Sequence, residues 1–234
     1  VSNLLQVEDL HTFIGQYHIL EGVSVEVPEG AIVALLGRNG AGKTTTLRSI
    51  LGLAPPRSGR VLFGGTDIAG RRSFDIAGLG IGYVPEHRAI FSNLSVHQNL
   101  TIAERRKGDL DRRSDMIFGL FPDLKRLIGL GGDRLSGGQQ QMLAVARALV
   151  ADNRLLLIDE PSEGLAPVLI EQMMSAIRAL AHHTTVLLVE QNFVVASRLA
   201  DRYVLIEEGR SVQAGAMADL VGDEESIRRY LGAA

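Results

Sequence analysis

The 234-residue chain carries 24 basic and 27 acidic side chains, a net charge of −3 and no cysteine. That balance offers no basic field for nucleic acid, and the missing thiols exclude a disulfide framework, a Cys-ligated zinc site and a thiol nucleophile. With 46% hydrophobic and 22% charged residues, the length suits one large domain, or a core with an inserted subdomain.

Near the N-terminus, Glu8 and Asp9 stand where a signal peptide needs a basic region followed by an apolar stretch. No apolar run approaches the ~20 residues of a membrane span, so work at a membrane is expected to run through a partner. Val23–Val27 alternates apolar and polar residues, which predicts a half-buried strand. Ala31–Leu36 is continuously apolar, as a strand buried on both faces is. Helix formers run from Lys43 to Leu51 and stop at Gly52 and Pro55-Pro56. Gly59–Phe63 and Ile81–Val84 read as short strands.

From about Ser92 to Ala151 the apolar residues recur at three- and four-residue spacing (Leu94, Leu100, Ile117, Leu120, Leu124), which predicts a helical insert. Its charge clusters, Glu104–Lys107 and Asp111–Arg113, read as a solvated helix face. Strand signals return at Leu155–Asp159 and Thr185–Val189 around a helix over Val168–Leu180. Val204–Glu207 and Ser211–Gln213 predict a late hairpin, and Glu224-Glu225 opens a short terminal helix. The alternation implies an α/β core with a mostly parallel sheet and ligands at the carboxyl ends of its strands. The core is expected over about residues 1–90 and 152–234, and the helical subdomain over about 91–151.

The chemistry-bearing motifs fall at those strand ends. Gly37-Arg38-Asn39-Gly40-Ala41-Gly42-Lys43-Thr44 fits G-x-x-x-x-G-K-[ST] at every fixed position, and Thr45 follows it. Glycines let backbone N–H groups wrap a triphosphate, and the positive end of the next helix adds to the attraction. Lys43 supplies a mobile charge to the terminal phosphates, and Thr44 a hydroxyl ligand for Mg²⁺. Leu155–Glu160 is an apolar strand ending in two carboxylates. Asp159 is placed to hold the metal, and Glu160 to orient or deprotonate an attacking water. Leu135-Ser136-Gly137-Gly138-Gln139-Gln140-Gln141 opens a long helix with Ser136 as N-cap and two glycines leaving amides exposed, a second anion site.

The three motifs together closely resemble the phosphate loop, signature and acidic strand of ATP-binding cassette (ABC) ATPases, in the family's order and spacing. The resemblance implies a P-loop NTPase of the ABC ATPase type over residues 1–234. Its parts would be a RecA-like α/β core, an antiparallel β subdomain and an inserted α-helical subdomain. It also implies a head-to-tail dimer in which Ser136, Gly137 and Gly138 contact the ATP held by the other subunit. Thr44 and Asp159 would bind Mg²⁺, and Glu160 would be the catalytic carboxylate.

Four positions depart from the commonest family pattern. Glu86, in Tyr83-Val84-Pro85-Glu86, replaces a Gln that reaches metal and water; a carboxylate of similar reach can still bind the metal or the water, at the cost of repulsion from the phosphates, so Glu86 is both a metal and a catalytic candidate. Gln191 replaces a switch His, and Ala166 an Asp of the dimer-facing loop. Ile14 stands where an aromatic usually stacks on adenine. Its neighbours Phe13 and Tyr17 are the candidates for that stacking, and packing of both on the sheet is the alternative. The combination resembles the ATPase subunits of branched-chain amino-acid importers; urea, amide and lipopolysaccharide transporters share much of it. The resemblance implies membrane permease subunits, a second ATPase subunit (or self) and an external binding protein as partners. This chain would lie peripherally on the cytoplasmic face of the membrane, with His87–Leu94 as the candidate permease surface and a solvated loop as the alternative. A non-transport soluble ABC protein is the other functional alternative, and the mildly acidic balance argues for no nucleic-acid partner.

Overall fold

The computed structural model describes residues 2–232. The chain opens with a long antiparallel hairpin, β1 (Asn3–Ile14) and β2 (Tyr17–Pro28). Register shifts between Val7 and Leu10 and at three further steps break its alternation. Period-2 patterning is lost across bulges, which is why the sequence shows only Val23–Val27 as a strand. Then come β3 (Ile32–Leu36), α1 (Lys43–Ile50), β4 (Ser58–Phe63) and β5 (Thr66–Asp67). The first sheet runs β2-β1-β4-β5 and is antiparallel throughout.

α2 (Ser73–Gly78) leads into β6 (Ile81–Val84), and a helical stretch follows: α3 (Val96–Thr101), α4 (Asp109–Leu120), α5 (Pro122–Arg126) and α6 (Gly137–Ala148). Pro122 at the first position of α5 forces the break after α4. α3 starts on a capping box in which Ser95 Oγ accepts from Gln98 N while Gln98 Oε1 accepts from Ser95 N. Part of the charge cluster before α4 is structural rather than merely solvated. Arg105 Nη2 donates to Ile81 O at 3.1 Å, and Asp109 accepts from the amides of Arg105 and Arg106, so the charges fasten this stretch to the edge of β6.

The chain then alternates β7 (Leu155–Asp159), α7 (Pro167–Ala181), β8 (Thr185–Glu190), α8 (Phe193–Leu199) and β9 (Arg202–Glu207), and ends in β10 (Arg210–Ala216), α9 (Met217–Val221) and α10 (Glu224–Leu231). The second sheet has order β10-β9-β3-β8-β7-β6, parallel except for the β9–β10 hairpin. Its central strands are buried on both faces. Ile32, Ala34 and Leu36 of β3, with Leu156 and Ile158 of β7, pack with the helices α6, α7 and α8. Val33, Leu35, Leu155 and Leu157 pack with α1 and the first sheet. The continuous apolar runs of the sequence are therefore the middle layer of a three-layer sandwich.

Candidate active site

β3 ends at Leu36, and the chain turns through Gly37–Gly42 into α1. The turn admits no side chain at two places. A Cβ on Gly37 would lie 2.3 Å from the carbonyl oxygen of Ile206, and Gly42 holds φ +107° against Leu20. α1 has no side-chain cap, and the amides of Lys43, Thr44 and Thr45 find no acceptor among the described residues. This is an open anion cradle at a positive helix end.

Buried charge gathers behind the cradle. Lys43 is only 4% exposed; its Nζ donates to Gly37 O (2.9 Å) and Arg38 O (3.2 Å) and pairs with Glu160 Oε1 at 3.1 Å. Asp159, fully buried at the end of β7, accepts from Thr44 Oγ1 (3.1 Å) and Tyr83 Oη (3.2 Å). Burial raises its pKa to about 6, against the lowering effect of the Thr44 and Tyr83 hydrogen bonds. Glu160 takes a left-handed backbone, φ +45°, and its amide donates to Val189 O at 2.9 Å. A non-glycine residue held there stores strain, which the pairing with β8 sustains.

A cavity of about 380 Å³ is lined by Asn39, Gly40, Gly42, Lys43, Thr44, Thr45, Glu86 and Glu160, with Glu163 and the two isoleucines Ile14 and Ile19. The structure thus brings together the phosphate loop, Glu86 and Glu160, and sets Asp159 against Thr44. It does not bring Phe13 to the cavity. Phe13 is stacked on His18 (centroids 4.1 Å apart, 8° between planes), and Arg57 lies 4.0 Å over its ring, so both faces are taken. Tyr17 is exposed and lies outside the cavity lining; Ile14, half-exposed, is inside it. Gln191 is exposed at the start of the β8–α8 turn and is not a lining residue either.

Ser136, Gly137 and Gly138 also lie outside this cavity. Ser136 caps α6 through a second capping box with Gln139, and Gly138 is buried where a Cβ would meet Leu169 Cδ1 at 2.2 Å. Sequence reasoning missed a groove of about 390 Å³ where α1, α2 and β6 face the ends of α3 and α6. Exposed Leu53 and Phe74 lie in it, and so do Arg147 and Asn153, whose Nη1 and Oδ1 make no hydrogen bond within the described residues. The exposed Phe-bearing segment before the strand was its only signal.

A family profile described as "ABC transporter" matches residues 20–163. A high-affinity branched-chain amino acid transport ATP-binding protein of Pseudomonas aeruginosa is 40% identical over 98% of this chain and 100% of its own length. The solved structure of an ATP-binding cassette of an ABC transporter in its ADP conformation superposes with a TM-score of 0.87 at 22% identity, covering all of both chains. A dimeric, post-hydrolysis ATP-binding cassette bound to ADP and Pi gives 0.80 at 22% identity, over 91% of this chain and 98% of that one.

Proposed function

The chain belongs to the ABC transporter family as an ATP-hydrolysing subunit, and on that premise we propose that it drives uptake of branched-chain or related amino acids through membrane permease subunits. The cargo rests on the full-length likeness to the Pseudomonas aeruginosa protein, because no part of this chain needs to touch cargo. The observation that carries the site is the convergence of Lys43, Thr44, Asp159 and Glu160 at one uncapped helix end.

In this reading the triphosphate lies along Gly37–Thr45, with its terminal charge on Lys43 and the helix amides. Thr44 and Asp159 would hold Mg²⁺. A hydroxyl and a carboxylate already in contact suit a hard cation that takes few protein ligands and completes its shell with phosphate and water. Among the described residues no cluster of three or more His, Cys, Asp or Glu forms an all-protein cage, which fits the same cation. Bound there, the metal supplies charge neutralisation to the leaving phosphates. Glu160 orients and deprotonates the attacking water, Glu86 holds that water from the cavity wall, and Gln191 donates to the γ-phosphate. The base rests on the aliphatic pair Ile14 and Ile19, and Tyr17, exposed outside the lining, is the aromatic candidate left once Phe13 is taken by His18 and Arg57.

Ser136, Gly137 and Gly138 serve the ATP of a second cassette, this chain or a related one, in a head-to-tail dimer. The groove with Leu53, Phe74 and Arg147 receives the permease; no residue of His87–Leu94 lines it, and that segment reaches it only through Phe91, whose ring centroid lies 5.4 Å from the Arg147 guanidinium. In this reading the chain lies peripherally on the cytoplasmic face of the membrane; no helix among the described residues is long and apolar enough to cross one. Deleting the gene should abolish uptake of radiolabelled leucine, isoleucine and valine. The wild-type chain should restore it and Glu160→Gln should not. Undiminished uptake in the deletion strain would overturn the cargo and leave the ATPase standing.

A further inference from the structure

One buried acid is unused by the chemistry above. Glu190 closes β8, is 2% exposed, and sits at the end of a strand otherwise made of Thr and apolar residues. A carboxylate there needs a reason, since an apolar side chain would avoid its desolvation. Its two oxygens supply one. Oε1 accepts the amide of Ser162 at 3.2 Å, and Oε2 accepts the amide of Asn192 at 3.3 Å. Ser162 lies two residues after Glu160, and Asn192 directly follows Gln191. The same two segments are joined a second time by the Glu160 amide on Val189 O. Asn192 in turn caps α8 through Val195 N at 3.3 Å. One side chain therefore fastens the loop that begins at Glu160 to the turn that holds Gln191.

We propose that Glu190 is a positioning residue for ATP hydrolysis, its carboxylate fixing Glu160 and Gln191 relative to one another so that both meet the γ-phosphate together. At 2% exposure it lies outside the cavity lining. It acts through two backbone amides, one on each loop, and shifts of one loop are passed to the other. The inference rests on the roles given above to Glu160 and Gln191. Gln at this position is isosteric but brings an NH₂ to one of the two amides, so one tie is lost while the volume is kept.

The test uses the full chain with Mg-ATP and the variants Glu190→Gln, Gln191→Ala and the double. Glu190→Gln should lower kcat about tenfold and leave KM within about twofold, because binding is untouched. In the Gln191→Ala background the same change should have less than half its effect in logarithmic terms, since both act on one group; independent structural damage would multiply instead. Amide exchange gives a second readout: the Ser162 or Asn192 amide should exchange about tenfold faster in Glu190→Gln. Wild-type kcat in Glu190→Gln, fully multiplicative effects, or unchanged exchange at both amides would each overturn the role of Glu190. Wild-type kcat in Gln191→Ala would instead remove the role of Gln191. Should Glu190→Gln fold poorly, Glu190→Asp keeps the charge, falls a methylene short of the amides, and is held to the same outcomes.

Discussion

The two helix N-termini that bear the chain's glycine motifs are built on opposite plans. α1 begins at Gly42 in a left-handed conformation, has no cap, and stands over buried Lys43 and Asp159 and the partly exposed Glu160. α6 begins at Ser136, is closed by a complete capping box, and carries no charged residue in its first turn. The first end is electrically unfinished and lacks only an anion. The second satisfies itself, presents Gly137 outward and buries Gly138 against Leu169. A helix end that must hold a ligand by itself keeps charge and strain in reserve. One that needs only to be approached can be neutral and stable.

Substitutions can break this contrast. The largest effect is expected for Glu160→Gln, with turnover down by on the order of 10²–10⁴ and nucleotide still bound, read by phosphate release alongside fluorescent-nucleotide titration. Next comes Lys43→Ala, which should weaken ATP binding about a hundredfold or more by calorimetry, because the charge matched to the phosphates is gone. At the other helix, Gly137→Val, at the exposed glycine where a Cβ meets only the tip of Arg88, should cut turnover by about ten- to a hundredfold yet leave ATP affinity of the isolated chain unchanged. A loss of affinity there would erase the distinction between the two ends.

A pH series sharpens the contrast further. Burial raises Glu190 from the ordinary 4.5 to about 7, against hydrogen bonds from Ser162 and Asn192 that lower it. The folded value lies above the unfolded one, so this stabilisation is complete below about pH 4.5 and fades as pH climbs through about 7. The nucleotide-free chain should lose on the order of 2–3 kcal/mol across that window by urea unfolding, and Glu190→Gln should flatten the slope. Ser136→Ala is the smallest change, about 1 kcal/mol of stability from the lost cap, seen as a modest drop in melting temperature.

The legible parts of the molecule were those whose chemistry is contiguous. Gly37–Thr44 and Leu155–Glu160 each carry strand, turn and ligand groups within a few residues, and Ser136 announces its own cap. β1 was hidden because bulges scramble its alternation. Phe13 looked available until the fold brought Arg57 and His18 to its two faces, neither of which sits where a sequence period would show it. Glu190 was read only as a letter in a motif, since its partner amide on Ser162 is 28 residues away. What escapes sequence is contact between strand ends that only the parallel sheet makes neighbours.

The Lys43–Glu160 pair has a consequence for how nucleotide is received. With 4% and 13% of their side chains exposed, the two charges are each other's counterion, and a phosphate bound by Lys43 would compete with Glu160 for it. With the roles proposed for Lys43 and Glu160, the chain would be its own competitive inhibitor: incoming nucleotide would have to evict a carboxylate, and the eviction would release that carboxylate to meet water. Apparent affinity for ATP is lowered by the fraction of molecules in which the tether is closed. A tether that opens only when displaced also acts as a safety catch, leaving the hydrolytic group sequestered until there is something to hydrolyse.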